Sequence, residues 1–472
     1  MKEAFYITTT LPYVNDVPHI GFALELVYAD IIARHRRLLG DDVFFSTGTD
    51  EHGTKIWDRA QEENKDPQAY VDEYASKFDA LKKSLNLSYD NFIRTTSPSH
   101  KEAAQEFWKR CHERGDIYKK TYKGLYCVGD ELFVTERDLV DGKCPNHPNQ
   151  ELVVIEEENY FFRFSKYGDD LLRLYEAHPG FVIPDFRFNE IKTFVERGLE
   201  DFSVSRLKKR VPWGIPVPGD EDHVMYVWFD ALINYISTLG WPKDEEKFAK
   251  FWPVVQFAGK DQIRQQAAMW QAMLLSAGLT PSKQIVIHGF ITSGGQKMSK
   301  SIGNVIDPSV LIEKYGTDAV RYYLARHVHP FEDSDVTPEK FHESYNAHLA
   351  NGLGNLVART MKMAEAHIGK VDLESKDEGR LSEFIDQYEF NKSADYIWEQ
   401  ISKLDQKIQE SKPFELVKKD EGKAKEIISE LVVSLHSIGV MLKPFMPETA
   451  EKIIKATKEN KMPDSLFPRL EQ

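Results

Sequence analysis

The chain has 472 residues, of which 41% are hydrophobic and 29% are charged. At roughly 100–200 residues per domain this length predicts two to four domains, and the ordinary composition excludes a disordered or fibrous protein. The net charge of −14 excludes a nucleic-acid binder with a generally basic surface, but it is compatible with a local basic groove on an acidic body.

The first fifty residues predict the beginning of a parallel α/β sheet. Residues 5–7 form a short apolar strand, residues 11–15 a turn-rich loop, and Pro18 opens a helix, where its missing N–H costs nothing. That helix has apolar residues at helical spacing. A second strand follows at 43–45, and the sequence Thr-Asp-Glu-His-Gly comes after it at 49–53. Because ligands of parallel sheets bind at the carboxyl ends of strands, this segment is a candidate site.

The sequence pattern changes between Tyr118 and Tyr167, where short β-prone pieces alternate with turns and predict a small β-rich insertion. The α/β pattern then resumes. After Phe341 helical periodicity continues to the end, with a charged linker at 374–380. The predicted strands of the insertion and of the resumed sheet are 124–127, 131–134, 159–162, 224–228, 254–257 and 284–288.

These patterns predict an α/β domain that is split by an insertion and followed by a helical domain. We place the first half of the α/β domain at residues 1–115 and the insertion at 116–200. The second half takes residues 201–340, and the helical domain takes residues 341–472.

The first candidate for chemistry is the tetrapeptide Pro-His-Ile-Gly at residues 18–21, at the predicted start of the first helix. A helix N-terminus offers N–H groups and partial positive charge, which favour a phosphate. His19 can reach that phosphate, and Gly21 lets a flat base approach the backbone. From these four residues alone, a histidine that bonds only to solvent is the alternative.

Two lysines further along form a second phosphate-directed motif. Lys297 and Lys300 belong to the sequence Lys-Met-Ser-Lys-Ser, which follows a predicted strand and the glycines Gly294 and Gly295. Lysines and hydroxyls on such a flexible loop can close over a polyphosphate. A solvated surface loop is the alternative, and the first motif at the other half of the same sheet argues against it.

Missing signals narrow the class of protein further. The chain has neither a G-x-x-x-x-G-K-[ST] loop nor a G-x-G-x-x-G sequence at its first turn, which disfavours P-loop and dinucleotide enzymes. No apolar run approaches the ~20 residues of a membrane span, and the N-terminus goes straight into strand-like sequence, which disfavours a signal peptide. Three cysteines cannot form a disulfide framework, so we expect a protein of the reducing cytoplasm.

Six motifs in order resemble those of the class I aminoacyl-tRNA synthetases, and within that class those of the methionyl-tRNA synthetases. Each motif alone is weak, but the series covers essentially the whole chain. The resemblance implies a Rossmann-like catalytic domain, split by a small insertion, and an all-α anticodon-binding domain. The motifs lie at residues 11–21, 47–53, 259–261, 288–290 with 297–301, 351–359 and 442–447.

The resemblance implies an enzyme that joins methionine to AMP and passes it to the 3′ terminal adenosine of tRNA(Met). The methionine carboxylate would attack the α-phosphate of ATP, so donors fixed near the phosphate would stabilise the transition state. The catalytic residues implied are His19, Lys297, Lys300 and Arg206. The ATP-binding residues implied, for ATP with its Mg2+, are His19, Gly21, Asp261, His288, Gly289, Lys297 and Lys300.

The resemblance also implies an apolar, aromatic pocket for the methionine side chain, since sulfur packs well against rings. Asp50 would hold the methionine ammonium, with Arg206 as its ionic partner and as a contact to the adenylate. For Arg206 an equal alternative is one more charge in the basic run 206–210, docking the tRNA end. The methionine-binding residues implied are Leu11, Tyr13, Asp50, Trp228, Leu232, Tyr235, Gln262 and Gln266.

In the helical domain, Asn355 and Arg359 lie one helical turn apart and so face the same way. They match the family's residues that read the anticodon. Phe414 stands where the family usually has a tryptophan that stacks on an anticodon base, and a phenylalanine can still stack.

The chain departs from the family pattern at three positions near the expected active site. Phe22 replaces the second histidine of the first motif, so His19 and Lys300 would carry more of the phosphate chemistry. Gln266 stands where a pocket histidine is expected, and Leu232 stands where a proline is common. These departures bear on which amino acid is activated more than on the class of enzyme.

The insertion carries a partial metal knuckle. Cys127, Cys144 and His147 are ligand types that zinc prefers, and the Cys-Pro-Asn-His segment has zinc-ligand spacing. Asp130 stands where the fourth ligand, usually cysteine, would fall. Because structural zinc sites favour sulfur and nitrogen, the segment is either a Zn2+ site or a degenerate knuckle held by packing.

Rival functions differ from a methionine–tRNA ligase in features that the sequence can show. A leucine, isoleucine or valine synthetase would carry a large editing domain, and the insertion is too short for one. A cysteine synthetase would have an early cysteine ligand, and a free-standing adenylating enzyme would lack the helical domain. A non-catalytic tRNA-binding paralogue would have no need of His19, Asp50 and Lys300. We expect a cytoplasmic monomer with tRNA(Met), methionine and ATP as partners and no membrane association.

Overall fold

The structure of the protein is a computed structural model that describes residues 2–129, 132–134, 139–145, 147–298, 303–373 and 379–471. Lys300, Asp130 and most of the predicted charged linker lie outside these residues. Within the part of the chain so described, no helix is both long enough and apolar enough to cross a membrane.

The elements follow one another as alternating strands and helices and then as helices alone. The strands are β1 (Ala4–Thr8), β2 (Asp42–Thr49), β3 (Asn91–Arg94), β4 (Ile117–Cys127), β5 (Leu132–Val134), β6 (Val153–Phe162), β7 (Val182–Ile183), β8 (Phe202–Ser203), β9 (Ser205–Leu207), β10 (Pro216–Val217), β11 (Asp220–Met225), β12 (Val255–Gly259), β13 (Gln284–His288), β14 (Ile291–Ser293), β15 (Gln296–Lys297) and β16 (Ser334–Asp335). The helices are α1 (Ile20–Leu39), α2 (Thr54–Glu62), α3 (Pro67–Asp79), α4 (Leu81–Ser84), α5 (Pro98–Glu113), α6 (Gly168–Ala177), α7 (Asp185–Glu196), α8 (Val227–Leu232), α9 (Asn234–Ser237), α10 (Glu245–Phe251), α11 (Trp270–Ser276), α12 (Pro308–Tyr315), α13 (Thr317–His327), α14 (Pro338–Ser344), α15 (Asn355–His367), α16 (Gly379–Asp386), α17 (Phe390–Ser411), α18 (Pro413–Leu416), α19 (Glu421–Met441) and α20 (Pro447–Glu459). Two π-helical segments, Gln265–Met269 and Tyr345–Gly354, precede α11 and α15.

The main sheet has the order β3-β2-β1-β12-β13-β7, and all of its neighbouring strands are parallel. Its central strands are buried on both sides, as apolar strands of parallel sheets are. Alternate residues of β12 and β13 point to opposite faces of the sheet and pack in different hydrophobic cores. Phe257 and Val286 belong to one core, and Ala258 and Ile287 belong to the other. The α/β class is confirmed, and so are the strands predicted at 5–7, 43–45 and 284–288.

The β-rich insertion is also confirmed. Between β3 and β12 the chain forms an antiparallel sheet, β5-β4-β6-β8, and a smaller one, β10-β11-β9. The strand predicted at 224–228 is wrong in its second half, because β11 ends at Met225 and Trp228 lies in α8. A short apolar run reads the same for a strand and for a buried helix. The helix predicted to open at Pro18 begins at Ile20, because His19 takes the N-cap position.

From Pro338 onward the described elements are all helices, as predicted. The buried side chain of Arg321 joins this region to the α/β domain. Arg321 of α13 lies 2.8 Å from the Asp30 carboxylate of α1 and donates to the carbonyls of Pro444 and Phe445. Burial raises the pKa of Asp30, but the charges of Arg321 and Arg34 outweigh it and lower the pKa. The boundaries predicted between the two halves of the α/β domain, the insertion and the helical domain remain a proposal.

Candidate active site

Four loops meet at the carboxyl edge of the main sheet, where β2, β1, β12 and β13 lie side by side. Leu11 and Tyr13 follow β1, Asp50 follows β2, Asp261 follows β12 and His288 ends β13. The backbones of Tyr13 and Asp50 pair directly. From β1 the chain continues to β2 and β3 on one side of the sheet, and from β12 it continues to β13 on the other side, so the strand order reverses between β1 and β12. Ligands of such sheets bind at this point of reversal.

Helix α1 begins inside the first motif. His19 is its N-cap, and the Nδ1 atom accepts a 3.0 Å hydrogen bond from the Gly21 N–H. The neutral ring therefore carries its proton on Nε2. His19 lies exposed at the cleft, but the surrounding protein still desolvates it and lowers its pKa, against the raising effect of Asp16. The geometry provides a neutral N–H donor at a helix N-terminus.

The second motif lies next to this helix start. A Cβ atom on Gly21 would lie 2.9 Å from His19 Cε1 and 3.7 Å from the Cε of Met298, so the two motifs are in contact range. The first N–H of α1 donates to the carbonyl of Ile306, 3.0 Å away. Lys297 is exposed and has its Nζ 5.8 Å from the ring of Phe290.

A buried carboxylate beneath the ends of β1 and β13 was missed by the sequence analysis. Glu25 accepts from the N–H and the hydroxyl of Thr10 at 2.5 and 2.8 Å, and its other oxygen lies 2.8 Å from His288 Nε2. His288 Nδ1 faces the Gly289 carbonyl at 2.7 Å. Burial lowers the pKa of His288, but the bonds to Glu25 and to this carbonyl raise it overall. The one signal for this site in the sequence was Glu25 itself, an acidic residue next to Leu24 on the apolar face of α1.

Asp261 and His288 lie next to each other at the ends of β12 and β13, since a Cβ on Gly259 would lie 2.9 Å from Asp261 Oδ1 and 3.8 Å from His288 Cε1. Burial raises the pKa of Asp261, while the charges of Lys297 and His288 oppose the rise. The backbone at Gly289 approaches another loop so closely that a Cβ would lie 2.2 Å from the carbonyl oxygen of Glu332. Only glycine fits there, so the loop at Glu332 packs directly against the end of β13.

The residues predicted to line a methionine pocket lie, besides the loops after β1, β2 and β12, on α8, α9 and the first π-helical segment. Trp228 is half-buried, and Leu232, Tyr235 and Gln266 are buried. Gln266 Nε2 faces the Gln262 Oε1 atom at 3.4 Å. The polar groups around this predicted side-chain pocket are neutral, in contrast with the pair of Glu25 and His288.

Arg206 is separated from the rest of its basic run. It is buried in β9, donates to Ser203 Oγ at 2.9 Å and to the Ser205 carbonyl at 2.7 Å, and lies 4.3 Å from the ring centre of Tyr226. Residues 208–210 are exposed. Since Tyr226 leads directly into α8 and Trp228, this placement favours a role at the site over docking of the tRNA end.

Two further structural features near Asp50 were missed by the sequence analysis. The Trp213 indole donates to the Glu51 carbonyl at 2.6 Å. Asp230 is fully buried between His52 Nδ1 and His100 Nε2, both at 2.7 Å. Burial raises the pKa of Asp230, but the two histidines hold it at about 2. Nothing in the spacing of these residues predicted that they meet.

The residues predicted to read the anticodon lie on neighbouring helices. Asn355 begins α15 and is exposed, and Arg359 on the next turn donates to Asp405 Oδ1 of α17 at 2.7 Å. The side chain of Phe414 in α18 is 50% exposed, which is high for an aromatic residue with no ligand. Helices α15, α17 and α18 all pack on α19.

The predicted knuckle brings three of its four residues together. The ligand atoms of Cys127, Cys144 and His147 all lie within 4.8 Å of one another. His147 Nδ1 is 3.8 Å from Cys127 Sγ and 3.9 Å from Cys144 Sγ. Two thiols and an imidazole are the donors that structural zinc prefers, so the described part of the knuckle fits this metal. Asp130 lies outside the described residues.

Residues 5–153 and 148–361 match the family described as tRNA synthetases class I (M). The methionine–tRNA ligase of Thermotoga maritima is 43% identical, with 96% of this chain and 75% of the relative covered. That of Nostoc sp. is 40% identical, with 96% of this chain and 89% of the relative covered.

Solved structures give the same relationship. Methionyl-tRNA synthetase of Mycobacterium tuberculosis in complex with methionyl-adenylate has a TM-score of 0.90 at 36% identity, covering 100% of this chain and 99% of the other. Its apo form has a TM-score of 0.84 at 32% identity, covering 100% and 99%.

Proposed function

The chain belongs to the class I tRNA synthetases of the methionine type, and we propose that it works as a methionine–tRNA ligase with the residue roles given below. It activates methionine with ATP to methionyl-adenylate and transfers the methionyl group to the terminal adenosine of tRNA(Met). One observation carries the assignment of roles: the helix start at His19 and the loop at Lys297 lie together at the sheet edge that also ends in Asp50 and Asp261.

In the first step a carboxylate oxygen of methionine bonds to the α-phosphorus of ATP. The bond from that phosphorus to the bridging oxygen breaks, and pyrophosphate leaves with the electron pair. Negative charge grows on the phosphate oxygens, so a donor that is already in place stabilises the transition state without reorganisation. His19 suits this role, because its Nδ1 is occupied by the Gly21 N–H and its Nε2–H is left to donate.

Lys297 and Lys300 would bind the departing pyrophosphate, since two ammonium groups match a triply charged leaving group. Mg2+ would enter with ATP and offset part of the phosphate charge. Asp261 would accept hydrogen bonds from the ribose hydroxyls. Gly21 and the backbone at His288 and Gly289 would contact the adenine.

At the other end, Asp50 would bind the methionine ammonium, and Arg206 would contact the adenylate. Leu11, Tyr13, Trp228, Leu232 and Tyr235 would surround the side chain, with Gln262 and Gln266 as its polar neighbours. In the second step a hydroxyl of the terminal adenosine attacks the acyl carbon, loses its proton, and AMP leaves.

In the helical domain, Asn355, Arg359 and Phe414 would contact the anticodon, the first two by hydrogen bonds and the third by stacking. Cys127, Cys144 and His147, with Asp130 as a fourth ligand, would hold Zn2+, which would stabilise the fold of the knuckle. We propose a monomer that works in the cytoplasm.

Amino-acid-dependent exchange of pyrophosphate into ATP tests the proposed function directly. Purified protein is assayed against all twenty amino acids, with Lys300→Ala as a variant that should lose the exchange. Exchange with methionine alone supports the proposal. Exchange with a different amino acid would keep the class and overturn the specificity, and tRNA binding without exchange would indicate a non-catalytic paralogue.

A further inference from the structure

A chain of buried amides and one hydroxyl runs behind the predicted methionine pocket. Its members are Gln271 of α11, Ser282, Gln256 of β12 and Gln266, and each is no more than 5% exposed. Gln271 Nε2 lies 3.2 Å from Ser282 Oγ, which bonds to Gln256 Oε1. Gln256 Nε2 lies 3.1 Å from Gln266 Oε1. The chain thus ends on a residue of the pocket itself.

Two backbone groups fix the direction of this chain. The Ser282 N–H can only donate, and it faces Gln271 Oε1 at 2.9 Å. The Gln266 carbonyl can only accept, and it faces Gln271 Nε2 at 2.8 Å. The oxygen and nitrogen of Gln271 are therefore assigned by partners of known polarity, rather than by choice between two similar atoms.

The donor and acceptor roles of the other three residues follow from this assignment. Ser282 Oγ accepts from Gln271 Nε2, and its single hydroxyl proton is donated to Gln256 Oε1. The other end of that amide is Nε2, which donates to Gln266 Oε1. The Nε2 of Gln266 is thereby turned the other way, toward Gln262 at the pocket.

We propose that Gln256 and Ser282 are positioning residues that hold Gln266 with an N–H donor, rather than a carbonyl oxygen, toward the methionine side chain. The proposal rests on the proposed function. A thioether sulfur is a weak acceptor with no proton to donate, so it is favoured by a donor and disfavoured by a second acceptor. The matching analogue without an acceptor is norleucine, in which a methylene replaces the sulfur.

The neighbouring tyrosine is consistent with this direction. Burial raises the pKa of Tyr235, and hydrogen bonds from the Gln266 and Gln256 side chains work against the rise, as donors to the phenol oxygen do. Tyr235 stays neutral, and amide donors on its oxygen leave its own proton for another partner. Both polar groups at this end thus offer protons.

The test compares kcat/KM for methionine and for norleucine in pyrophosphate exchange. Ser282→Ala removes the proton that orients Gln256, and we expect the methionine preference to fall about 3- to 10-fold, the range of one lost hydrogen bond. Ser276→Ala is the matched control. It removes a buried hydroxyl from α11 that donates to Asp116 at 2.9 Å, outside the chain of amides, and the preference should stay unchanged.

Gln256→Glu gives a second test with the same side-chain shape. The ionised carboxylate of this variant can only accept, so it would draw the N–H of Gln266 away from the pocket. A protonated carboxyl can donate, so it would restore the original direction. The methionine preference of this variant should therefore fall as pH rises, while that of the wild type stays flat, and a merely structural role would not produce this difference.

The outcomes separate the two proposals. A wild type that does not exchange with methionine overturns the proposed function. A wild type that exchanges, with the same preference in Ser282→Ala and a pH-independent preference in Gln256→Glu, overturns the positioning role alone. If Ser282→Ala does not fold, as judged by circular dichroism and thermal unfolding, the pH series on Gln256→Glu decides.

Discussion

The proposed nucleotide end of the site and its proposed methionine end, which is the pocket around the side chain, are polarised in different ways. At the nucleotide end the polar groups are charged or paired with charge: Glu25 with His288, and Asp261 near Lys297. At the methionine end, Gln266, Gln262 and Tyr235 are neutral and bonded to one another or to further amides. ATP is a polyanion and the methionine side chain is uncharged, and an unpaired charge in an apolar pocket is costly. Only the interactions at the nucleotide end should therefore change with pH.

The largest expected effect comes from His19→Ala. Removing one prearranged donor to the developing charge should lower the kcat of pyrophosphate exchange by about 10²- to 10³-fold. The KM for methionine should hardly change, because His19 belongs to the nucleotide end. His112→Ala, an exposed histidine of α5, is the control. A variant that lost methionine affinity instead would show that the two ends are not separate.

Glu25→Gln should have the next largest effect, a rise of about tenfold in the KM for ATP from the loss of one charged hydrogen bond. It should also change the pH dependence of stability. The pKa of His288 is raised above its ordinary value of 6.5 in the folded protein. The pair with Glu25 therefore stabilises the fold fully below about pH 6.5, and this stabilisation is lost as pH rises through the raised pKa.

Urea unfolding of the wild type and of Glu25→Gln at a series of pH values measures this directly. The difference in free energy of unfolding should be largest at low pH and shrink as pH rises. A difference that grew with pH would mean that His288 is not held as a cation by Glu25. Glu176→Gln, which changes an exposed carboxylate of α6, is the matched control and should give no such trend.

The sequence predicted what local patterns encode and missed what the tertiary fold brings together. The central strands, the small β insertion and the helical end each have a local period or composition, and all were confirmed. Glu25 lies 263 positions from His288 and Asp230 lies 178 from His52, so no local pattern links them. Glu25 lies in α1 and Asp230 in α8, and each meets its histidine at a strand end only when these helices pack on the sheet.

The resemblance to known motifs was informative for site residues whose type is set by the reaction. It was less informative for residues whose type is set by packing. His19, Gly21 and Lys297 were recognised in order along the chain, and the structure brings their motifs together. Gln266 was recognised only as a departure from the expected histidine. Its partners Gln256 and Ser282 have no motif, because many arrangements of buried amides can satisfy one another.

Gln266→His would place a titratable group at the methionine end, and we expect a moderate effect. An imidazole titrates near pH 6.5, so the KM for methionine should become pH-dependent by about 3-fold across neutral pH, whereas that of the wild type stays flat. The KM for ATP should be unaffected in both. Steady-state exchange between pH 5.5 and 8.5 measures these constants, and a pH-dependent wild type would contradict the neutral character of the methionine end.

Arg359→Ala should have the smallest effect on either end, since Arg359 lies on α15 and bonds to Asp405 of the helical domain. Pyrophosphate exchange does not need tRNA, so its kcat and its KM values for ATP and methionine should match those of the wild type. The KM for tRNA in the charging reaction should rise about tenfold, the effect of losing one base contact of about 1–3 kcal/mol. Arg380→Ala, a surface arginine of α16, is the control and should leave both reactions unchanged. Because the exchange reaction involves only the sheet edge, a loss of exchange in Arg359→Ala would show that the helical domain acts on the active site, whereas a loss confined to charging keeps the two functions apart.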